Sequence, residues 1–242
     1  MAVLKKVQQT YLGLKSYSQK ITATNVVVVS GRRQVVGQES ELRYQQPNRT
    51  FIQVSTPNVG TLTTFNNGRE MLVYRGSSNT YQKRPGQPTV KAYVRALREF
   101  GIGTMLDPLA FLTGEPVQTA LASATVSGSE AVDGVPCEVV VGRLTPALAS
   151  KAKSATATFW VDKSANLLRR VKIAVTGVPA TARVRVMVQG KPVIKSMPTT
   201  VDQTTTMSIH DVKLNPPLND ASFTFALPKG ATEQAAAAGG KK

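Results

Sequence analysis

The chain contains a single cysteine and a single histidine among 242 residues. Cys137 cannot form an internal disulfide, and its Val-rich surroundings predict a small buried strand residue. His210 lacks the further ligands that a transition-metal site requires, so we expect an exposed strand residue. The sequence also lacks a G-x-S-x-G motif, a phosphate loop, a dinucleotide fingerprint and a calcium loop. We therefore expect a protein that is not an enzyme and that binds no metal or cofactor.

Acidic residues are scarce: 14 Asp and Glu face 30 Lys and Arg, which gives a net charge of +16 and a pI of about 10.2. The basic residues are scattered, with small clusters at Arg32-Arg33, Lys83-Arg84 and Arg169-Arg170. Scattered positive charge favours attraction to an anionic bilayer, an acidic glycolipid or an acidic protein. No groove-reading or base-stacking element accompanies it, so we expect no nucleic-acid partner.

Long hydrophobic runs are absent, since no segment approaches the ~18–20 consecutive apolar residues that span a bilayer. We expect no signal peptide in this sequence, because Met1–Lys6 leads directly into a predicted amphipathic helix. Either the protein is cytoplasmic, or the chain begins at a mature N-terminus with an added Met. Periodicity predicts a helix over Ala2–Lys15. Its apolar stripe comprises Val3, Val7, Tyr11 and Leu14.

Short runs rich in Val, Thr and aromatic residues alternate with turn signals throughout the chain. Gln38–Lys83 holds five such runs, and Asn67-Gly68 is a dipeptide that tolerates the positive φ of a two-residue hairpin turn. This spacing predicts an antiparallel meander. The runs are Glu41–Tyr44, Phe51–Ser55, Thr61–Phe65, Glu70–Tyr74 and Thr80–Lys83.

Further strands are predicted on both sides of this meander. Before it, alternation over Tyr17–Ala23 places Tyr17, Gln19, Ile21 and Ala23 on one face. After it, Asp133-Gly134 predicts a hairpin between Thr119–Val132 and Cys137–Leu144. The remaining predicted strands are Ala155–Val161 paired with Leu167–Thr176, a further hairpin of Arg183–Val188 with Val193–Lys195 through Gln189-Gly190, Thr204–Leu214 and Ser222–Ala226. In the first of these pairs, alternation predicts one shared apolar face, which Arg169 interrupts. The residues of that face are Ala155, Ala157, Phe159, Val161, Leu167, Val171, Ile173 and Val175.

A helical insertion separates the two blocks of strands. Thr89 is a suitable N-cap for a helix from Val90 to about Phe100, and Asp107-Pro108 begins a short helix over Leu109–Leu112. Ordinary packing on the sheet explains the insertion. A movable cover explains it equally well, because glycines flank it. These glycines are Gly101, Gly103 and Gly114.

The order of several motifs resembles one known family. The motifs are Asn66–Tyr74 (NNGREMLVY), Phe159–Asp162 (FWVD), Leu168–Arg170 (LRR) and Phe223–Gly230 (FTFALPKG). With the N-terminal helix, they resemble the outer-membrane lipoprotein carrier (LolA-like) superfamily, in its predicted periplasmic, DUF2092-type branch. The resemblance implies a mainly β (α+β) fold. This fold is a half-open β-barrel of about eleven antiparallel strands, plugged by the N-terminal helix and covered by the insertion as a lid. The strand pattern resumes with similar length on both sides of the helices, which predicts one domain over residues 1–231, and low-complexity composition predicts a disordered tail over 232–242.

The same resemblance implies a periplasmic carrier that holds the acyl chains of lipids or lipoproteins in an apolar cavity. Its partners would be the cargo and, transiently, a membrane or membrane protein, with the carrier itself a monomer. The chain departs from the best-known carriers in its aromatic content of 6% and in an extra hairpin at about Pro179–Thr199. Both departures leave the identity of the cargo open. The alternative is a regulatory or interaction protein with a packed barrel that binds anionic partners through its basic surface.

Candidate ligand-binding residues follow from this interpretation, with a filled core as the alternative for each. The expected cavity lining is Leu42, Tyr44, Ile52, Val54, Leu62, Met71, Val73, Phe159, Val161, Val171, Ile173, Met207 and Ile209. The expected lid residues are Val94, Leu97, Phe100, Leu106 and Phe111.

Overall fold

A computed structural model describes residues 1–100, 102, 106–115, 117–149, 151–188 and 191–234. These residues form one curved, open sheet of twelve strands with helices packed against its inner face. The helices are α1 Ala2–Leu12, α2 Val90–Glu99, α3 Pro108–Leu112 and α4 Pro146–Ala149. The strands are β1 Ser16–Val29, β2 Arg32–Gln45, β3 Arg49–Thr56, β4 Gly60–Asn66, β5 Glu70–Arg75, β6 Thr80–Pro85, β7 Leu121–Val132, β8 Val135–Leu144, β9 Ser154–Asp162, β10 Leu168–Val188, β11 Lys191–Leu214 and β12 Thr232–Glu233.

The strand order is β12-β6-β5-β4-β3-β2-β1-β11-β10-β9-β8-β7. Neighbours pair antiparallel except β12, which pairs parallel to β6. The first strand joins the two halves of the sheet, because β1 pairs with β2 on one side and with β11 on the other. The sheet thus has the half-open form that the sequence resemblance implies, with one strand more than the expected number of about eleven.

The alternation of buried and exposed residues along the strands shows which face of the sheet the helices cover. Tyr17, Gln19, Ile21 and Ala23 are all buried, as predicted for one face of β1. On β9, the alternate residues Ala155, Ala157, Phe159 and Val161 are buried in the same way. Cys137 is fully buried, also as predicted, whereas His210 is half-buried rather than exposed and lies 3.1 Å from the Thr22 hydroxyl through its Nε2.

The N-terminal helix is shorter than predicted and presents a slightly different face. It ends at Leu12 rather than Lys15, and Gly13 follows it as the C-cap. Leu4 is fully buried, whereas Val3, which we assigned to the apolar stripe, is only half-buried. Val7, Tyr11 and Leu14 are buried as predicted.

Both helices of the insertion, α2 and α3, begin where the sequence predicts. The Thr89 hydroxyl accepts a hydrogen bond of 3.1 Å from Ala92 N and caps α2. The Asp107 carboxylate caps α3 by accepting one of 3.0 Å from Ala110 N. Among the flanking glycines, Gly114 adopts a φ of +74°, while Gly101 and Gly103 lie outside the described residues.

The predicted hairpin over Arg183–Lys195 is confirmed, since Val184 lies opposite Lys195 and Val186 lies opposite Val193 in an antiparallel pair. It is the outer end of β10 and β11, whose predicted turn at Gln189-Gly190 lies outside the described residues. The strand predicted to end at Thr176 continues to Val188, with a β-bulge between Val175 and Val178. At this bulge Gly177 has a φ of +66° and its N–H donates to Asp202 Oδ1 at 2.7 Å.

The prediction of a last strand over Ser222–Ala226 is wrong. Residues Asp220–Phe223 form a 3₁₀ turn, because Asn219 and Ser222 cap it reciprocally. Phe223 and Phe225 then pack on the outer face of β3–β5, where Phe223 is fully buried. The apolar alternation that suggested a strand is therefore satisfied by a second, smaller core. The final strand is instead Thr232–Glu233, the first part of the expected tail, whereas 235–242 lie outside the described residues.

Candidate ligand-binding site

A cavity of about 330 Å³ lies between the middle of the inner face and the residues that follow α2. Five adjacent strands, β3, β2, β1, β11 and β10, supply its floor, and Ile102, Asp107 and Leu109 supply its roof. This volume is at the lower end of the range of about 300–1,000 Å³ for small-molecule pockets. The lining residues are Gln19, Ile21, Gln38, Ser40, Glu41, Leu42, Ile52, Val54, Ile102, Asp107, Leu109, Ile173, Val175, Gln203, Thr205 and Met207.

The register of the strands brings this lining together. Gln19 lies opposite Leu42 of β2, and Ile173 lies opposite Thr205 of β11. Since directly opposite residues of an antiparallel pair lie on the same face, alternate positions of five strands point into one space. Gln38 and Gln203 are exposed, whereas Gln19 is only 2% exposed. The cavity therefore has an open, polar mouth and a closed end at Gln19.

The sequence prediction placed thirteen residues in the cavity lining. The structure places some of them in the lining and the others in or against the filled core. Five line the cavity: Leu42, Ile52, Val54, Ile173 and Met207. Seven lie in the filled core beneath the helices: Tyr44, Met71, Val73, Phe159, Val161, Val171 and Ile209. Leu62 packs against the same core. The interior of the half-barrel is thus partly packed and partly hollow.

The predicted lid residues belong to the filled core. Val94, Leu97, Leu106 and Phe111 are buried there, and Phe100 packs against it. The end of α2 is also held from outside, because the Phe100 carbonyl accepts a 2.7 Å hydrogen bond from Arg75 and its ring lies 4.4 Å from the Arg84 guanidinium carbon. The cavity is covered by other residues of the same insertion.

The predicted list missed the polar lining residues because it was chosen for apolar character, and it also missed apolar ones such as Ile21 and Val175. Alternation along β1 already placed Gln19 and Ile21 on the covered face, and Val175 shares a face with Ile173. The polar lining residues near the mouth can be assigned only from the strand register, since both faces of β2 are polar there. The sequence placed the roof residues in the helical insertion but did not show which of them face the cavity, because that depends on how the insertion crosses the sheet.

A buried polar cluster adjoins the cavity at Gln19. The Tyr17 hydroxyl donates a 2.5 Å hydrogen bond to Gln19 Oε1, and it lies 3.3 Å from the Tyr11 hydroxyl. Burial raises the pKa of Tyr11 to about 12 and raises the pKa of Tyr17 well above its ordinary value. Both hydroxyls are therefore neutral at physiological pH and can act as hydrogen-bond donors.

Asp107 is an acidic group in the roof of the cavity. Although the residue as a whole is half-buried, burial of its carboxyl group raises the pKa to about 6, against the opposing backbone hydrogen bonds from Ala110 and Leu109. A carboxyl group with a raised native pKa loses protons less readily in the folded state. Its contribution to stability consequently falls as pH rises between about 4 and 6.

Asp107→Asn is expected to stabilise the protein at neutral pH. Asparagine keeps the N-cap of α3 but cannot ionise. We expect the free energy of unfolding to rise by about 1 kcal/mol at pH 7.5 and to be unchanged near pH 4. Urea denaturation at both pH values measures this. Asp220→Asn, at a carboxylate whose side chain is 89% exposed, should show no such trend, and a stability loss for Asp107→Asn at pH 7.5 would contradict the prediction.

A family model described as "Predicted periplasmic protein (DUF2092)" matches residues 1–234. The chain belongs to this family. The match confirms the branch that the sequence motifs indicated, and the family description agrees with a periplasmic location. No curated protein matches the DUF2092 chain in sequence.

Solved structures similar to the DUF2092 chain include an uncharacterized conserved protein from Thermus thermophilus, at 10% identity and a TM-score of 0.50, with 96% of each chain covered. The Mycobacterium tuberculosis lipoprotein LppX aligns at 14% identity with a TM-score of 0.44, covering 90% of this chain and 96% of LppX. A LolA superfamily protein from Nitrosomonas europaea aligns at 10% identity with a TM-score of 0.34, covering 93% and 96%. The similarity to the Thermus thermophilus structure shows that the two proteins share a fold.

Two further observations concern the described part of the chain. None of its helices has both the length and the apolar character needed to cross a membrane. It also contains no group of three or more potential metal-ligating side chains.

Proposed function

We propose that this DUF2092 protein is a non-enzymatic carrier that holds an acyl chain, of a lipid or a lipoprotein, in its inner cavity within the periplasm. The observation that carries the proposal is the apolar hollow beside the filled core, with nine Ile, Leu, Val and Met side chains in its lining. Each methylene removed from water contributes about 0.8 kcal/mol, so a short stretch of chain suffices for measurable binding.

The size of the cavity limits the cargo. A dry cavity of about 150 Å³ holds one benzene-sized molecule. At about 330 Å³, this cavity has space for part of one chain rather than for several chains side by side. The rest of a longer ligand would extend through the open mouth past Gln38 and Gln203. We therefore propose a single-chain cargo.

Delivery of such a cargo requires a transient encounter with a membrane or a membrane protein. The net charge of +16 favours anionic bilayers through long-range attraction, which salt screens. We propose that the carrier acts as a monomer, without a nucleic-acid partner. The likeness in fold and the family description are compatible with this role.

A second candidate function is a regulatory or interaction protein. The filled core beneath α1, α2 and α3 favours it, because these helices plug most of the interior and Arg75 and Arg84 hold the end of α2. In that case the basic surface would bind an anionic partner, and the cavity would be incidental. The two candidates differ in whether a lipid is retained.

Native mass spectrometry of the purified protein, followed by solvent extraction and lipid identification, tests the proposal. We expect one acyl-bearing molecule per protein, either co-purified or taken up from lipid micelles. A clean unliganded mass after incubation with micelles would overturn the carrier function. Binding to an anionic partner that falls steeply with salt, with no lipid retained, would support the interaction protein instead.

A further inference from the structure

The outer ends of β10 and β11 form a two-stranded ribbon that projects beyond the rest of the sheet. The neighbouring strands β9 and β1 accompany them only as far as Thr176 and Val201. Beyond these points, residues 179–188 and 191–200 pair only with each other. Their ten residue pairs give the ribbon a length of about 30 Å. A two-stranded ribbon is only marginally stable in water by itself, so a further surface in contact with it would stabilise it.

The ribbon carries positive charge without negative charge. The sequence over 179–200 contains four basic residues and no Asp or Glu. Arg183 and Lys195 are exposed, and neither forms an ion pair with a described carboxylate. The acidic residue nearest to the ribbon in sequence is Asp202, whose Oδ1 already accepts the Gly177 N–H at 2.7 Å. The two exposed cations are therefore available to an anionic partner.

Positive charge continues at the base of the ribbon, next to the mouth of the cavity. The turn between β1 and β2 lies there, with Ser30 Oγ 2.9 Å from Thr199 Oγ1. Arg32 and Arg33 follow this turn, and both are exposed. Gln203, at the mouth of the cavity, lies on β11 two residues from the point at which the ribbon leaves the sheet. The ribbon therefore projects from the end of the sheet at which the cavity opens.

An exposed apolar side chain accompanies the charges of the ribbon. Ile194 is 68% exposed, the largest value among the large apolar side chains of the described chain. Side chains alternate along a strand, so Ile194 shares a face with Ser196, which lies opposite Arg183. Lys195 lies on the other face. Exposed basic residues on both faces, with an apolar residue between them in sequence, suit an anionic interface that surrounds the ribbon.

A protein partner fits the ribbon less well than a bilayer does. Pro179 and Pro198 lie in its two strands, whose outer edges are unpaired, and proline has no N–H to donate to an added strand. Pairing with a strand of a second copy is therefore disfavoured. A folded acidic protein would contact one face of the ribbon, whereas Arg183 and Lys195 lie on opposite faces.

We propose that this ribbon docks the protein on an anionic bilayer, with Ile194 inserted at the interface and Arg183 and Lys195 bound to lipid phosphates. The inference rests on the proposed function for its purpose, since it assigns the surface through which the carrier meets a membrane. The docking contacts themselves lie outside the cavity lining. Because the ribbon and the mouth of the cavity share one end of the sheet, docking brings the mouth to the membrane side of the protein.

Co-sedimentation with phosphatidylcholine vesicles, with and without phosphatidylglycerol, tests the proposal. We expect the wild type to bind only the vesicles that contain phosphatidylglycerol. Lys195→Ser should weaken this binding about five-fold at low salt and much less at high salt. Ile194→Ser should weaken it about ten-fold at either salt concentration. The controls Lys213→Ser and Leu214→Ser make matched changes at exposed residues of the opposite end of β11, and they should bind like the wild type.

Several outcomes would overturn the docking role of the ribbon. Absence of binding to phosphatidylglycerol vesicles, or equal losses at the two ends of β11, would do so. An effect of Lys195→Ser without one of Ile194→Ser would indicate an acidic protein surface instead of a bilayer. A dimer that Ile194→Ser dissociates in sedimentation velocity, without vesicle binding, would assign the ribbon to a second copy of the chain.

Affinity for a fluorescent acyl probe, measured without vesicles, separates this inference from the carrier function. We expect Ile194→Ser and Lys195→Ser to bind the probe like the wild type, since neither residue lines the cavity. A wild type that docks on vesicles but binds no acyl probe would overturn the carrier function alone. A wild type that binds the probe but no vesicles would overturn the docking role alone.

Discussion

Asp162→Ala is expected to lower the free energy of unfolding by about 3 kcal/mol at pH 7, because it leaves a partly buried guanidinium without its partner. Asp162 is 2% exposed and its Oδ2 accepts hydrogen bonds from Arg169 Nη2 at 2.7 Å and Nε at 3.1 Å. Its Oδ1 accepts from Ser164 N, Ser164 Oγ and Ala165 N at 2.7–3.0 Å. One carboxylate thus holds the β9–β10 turn closed and neutralises Arg169.

The effect of Asp162→Ala should depend on pH. Burial alone would raise the pKa of Asp162, but the hydrogen bonds from Ser164, Arg169 and Ala165 outweigh it and hold the pKa well below its usual value. A carboxylate with a lowered native pKa stabilises the fold above its unfolded pKa of about 3.9 and loses this contribution as pH falls further. The stability difference between wild type and variant should therefore narrow below about pH 4.

Denaturant unfolding at pH 7 and pH 3 measures this prediction. Glu115→Ala serves as the matched control, because Glu115 pairs with Lys91 at 3.3 Å in an ion pair whose two side chains are about half exposed. Exposed pairs contribute little, so the control should be close to the wild type. A loss in Asp162→Ala no greater than that in the control would show that the turn does not depend on this carboxylate.

The Asp162 turn also shows what the sequence could and could not indicate. Alternation over Ala155–Val161 and Leu167–Thr176 correctly predicted the two strands and their shared buried face. Arg169 interrupted that pattern without an evident reason, since its partner follows from three-dimensional contact. Local periodicity records burial along a strand, but it does not identify which distant side chain compensates a buried charge.

Local periodicity also could not separate the residues that line the cavity from those that lie in the filled core. Periodicity assigns Phe159 and Ile173 equally to the inner face, yet Phe159 lies in the core and Ile173 lines the cavity. The difference is set by where α1–α3 cross the sheet, which depends on contacts such as that between Tyr11 and Phe111, whose ring centroids lie 5.7 Å apart. The fold and its covered face were thus predictable, whereas the boundary between packed and hollow interior required the tertiary structure.

Met207→Arg is expected to abolish most acyl-chain binding while preserving the fold. Met207 lies opposite Ala23 of β1 and Val171 of β10, in the floor of the cavity, and it is half-buried. An arginine there can extend its charged end toward the mouth, so the sheet is not forced to bury an unpaired charge. Its stem and guanidinium would nevertheless occupy the space of the ligand. Loss of about three methylene contacts corresponds to roughly 50-fold weaker binding.

Met197→Arg is the matched control for this prediction. Met197 lies on the same strand, beyond the bulge at Gly177, and is 50% exposed. The two variants carry the same substitution and the same net charge, so a difference in affinity for a fluorescent acyl probe reports position alone. Unchanged affinity in Met207→Arg would show that acyl chains do not bind in this cavity. Equal loss in both variants would instead show that the effect does not depend on the position of the arginine, and would contradict binding in this cavity.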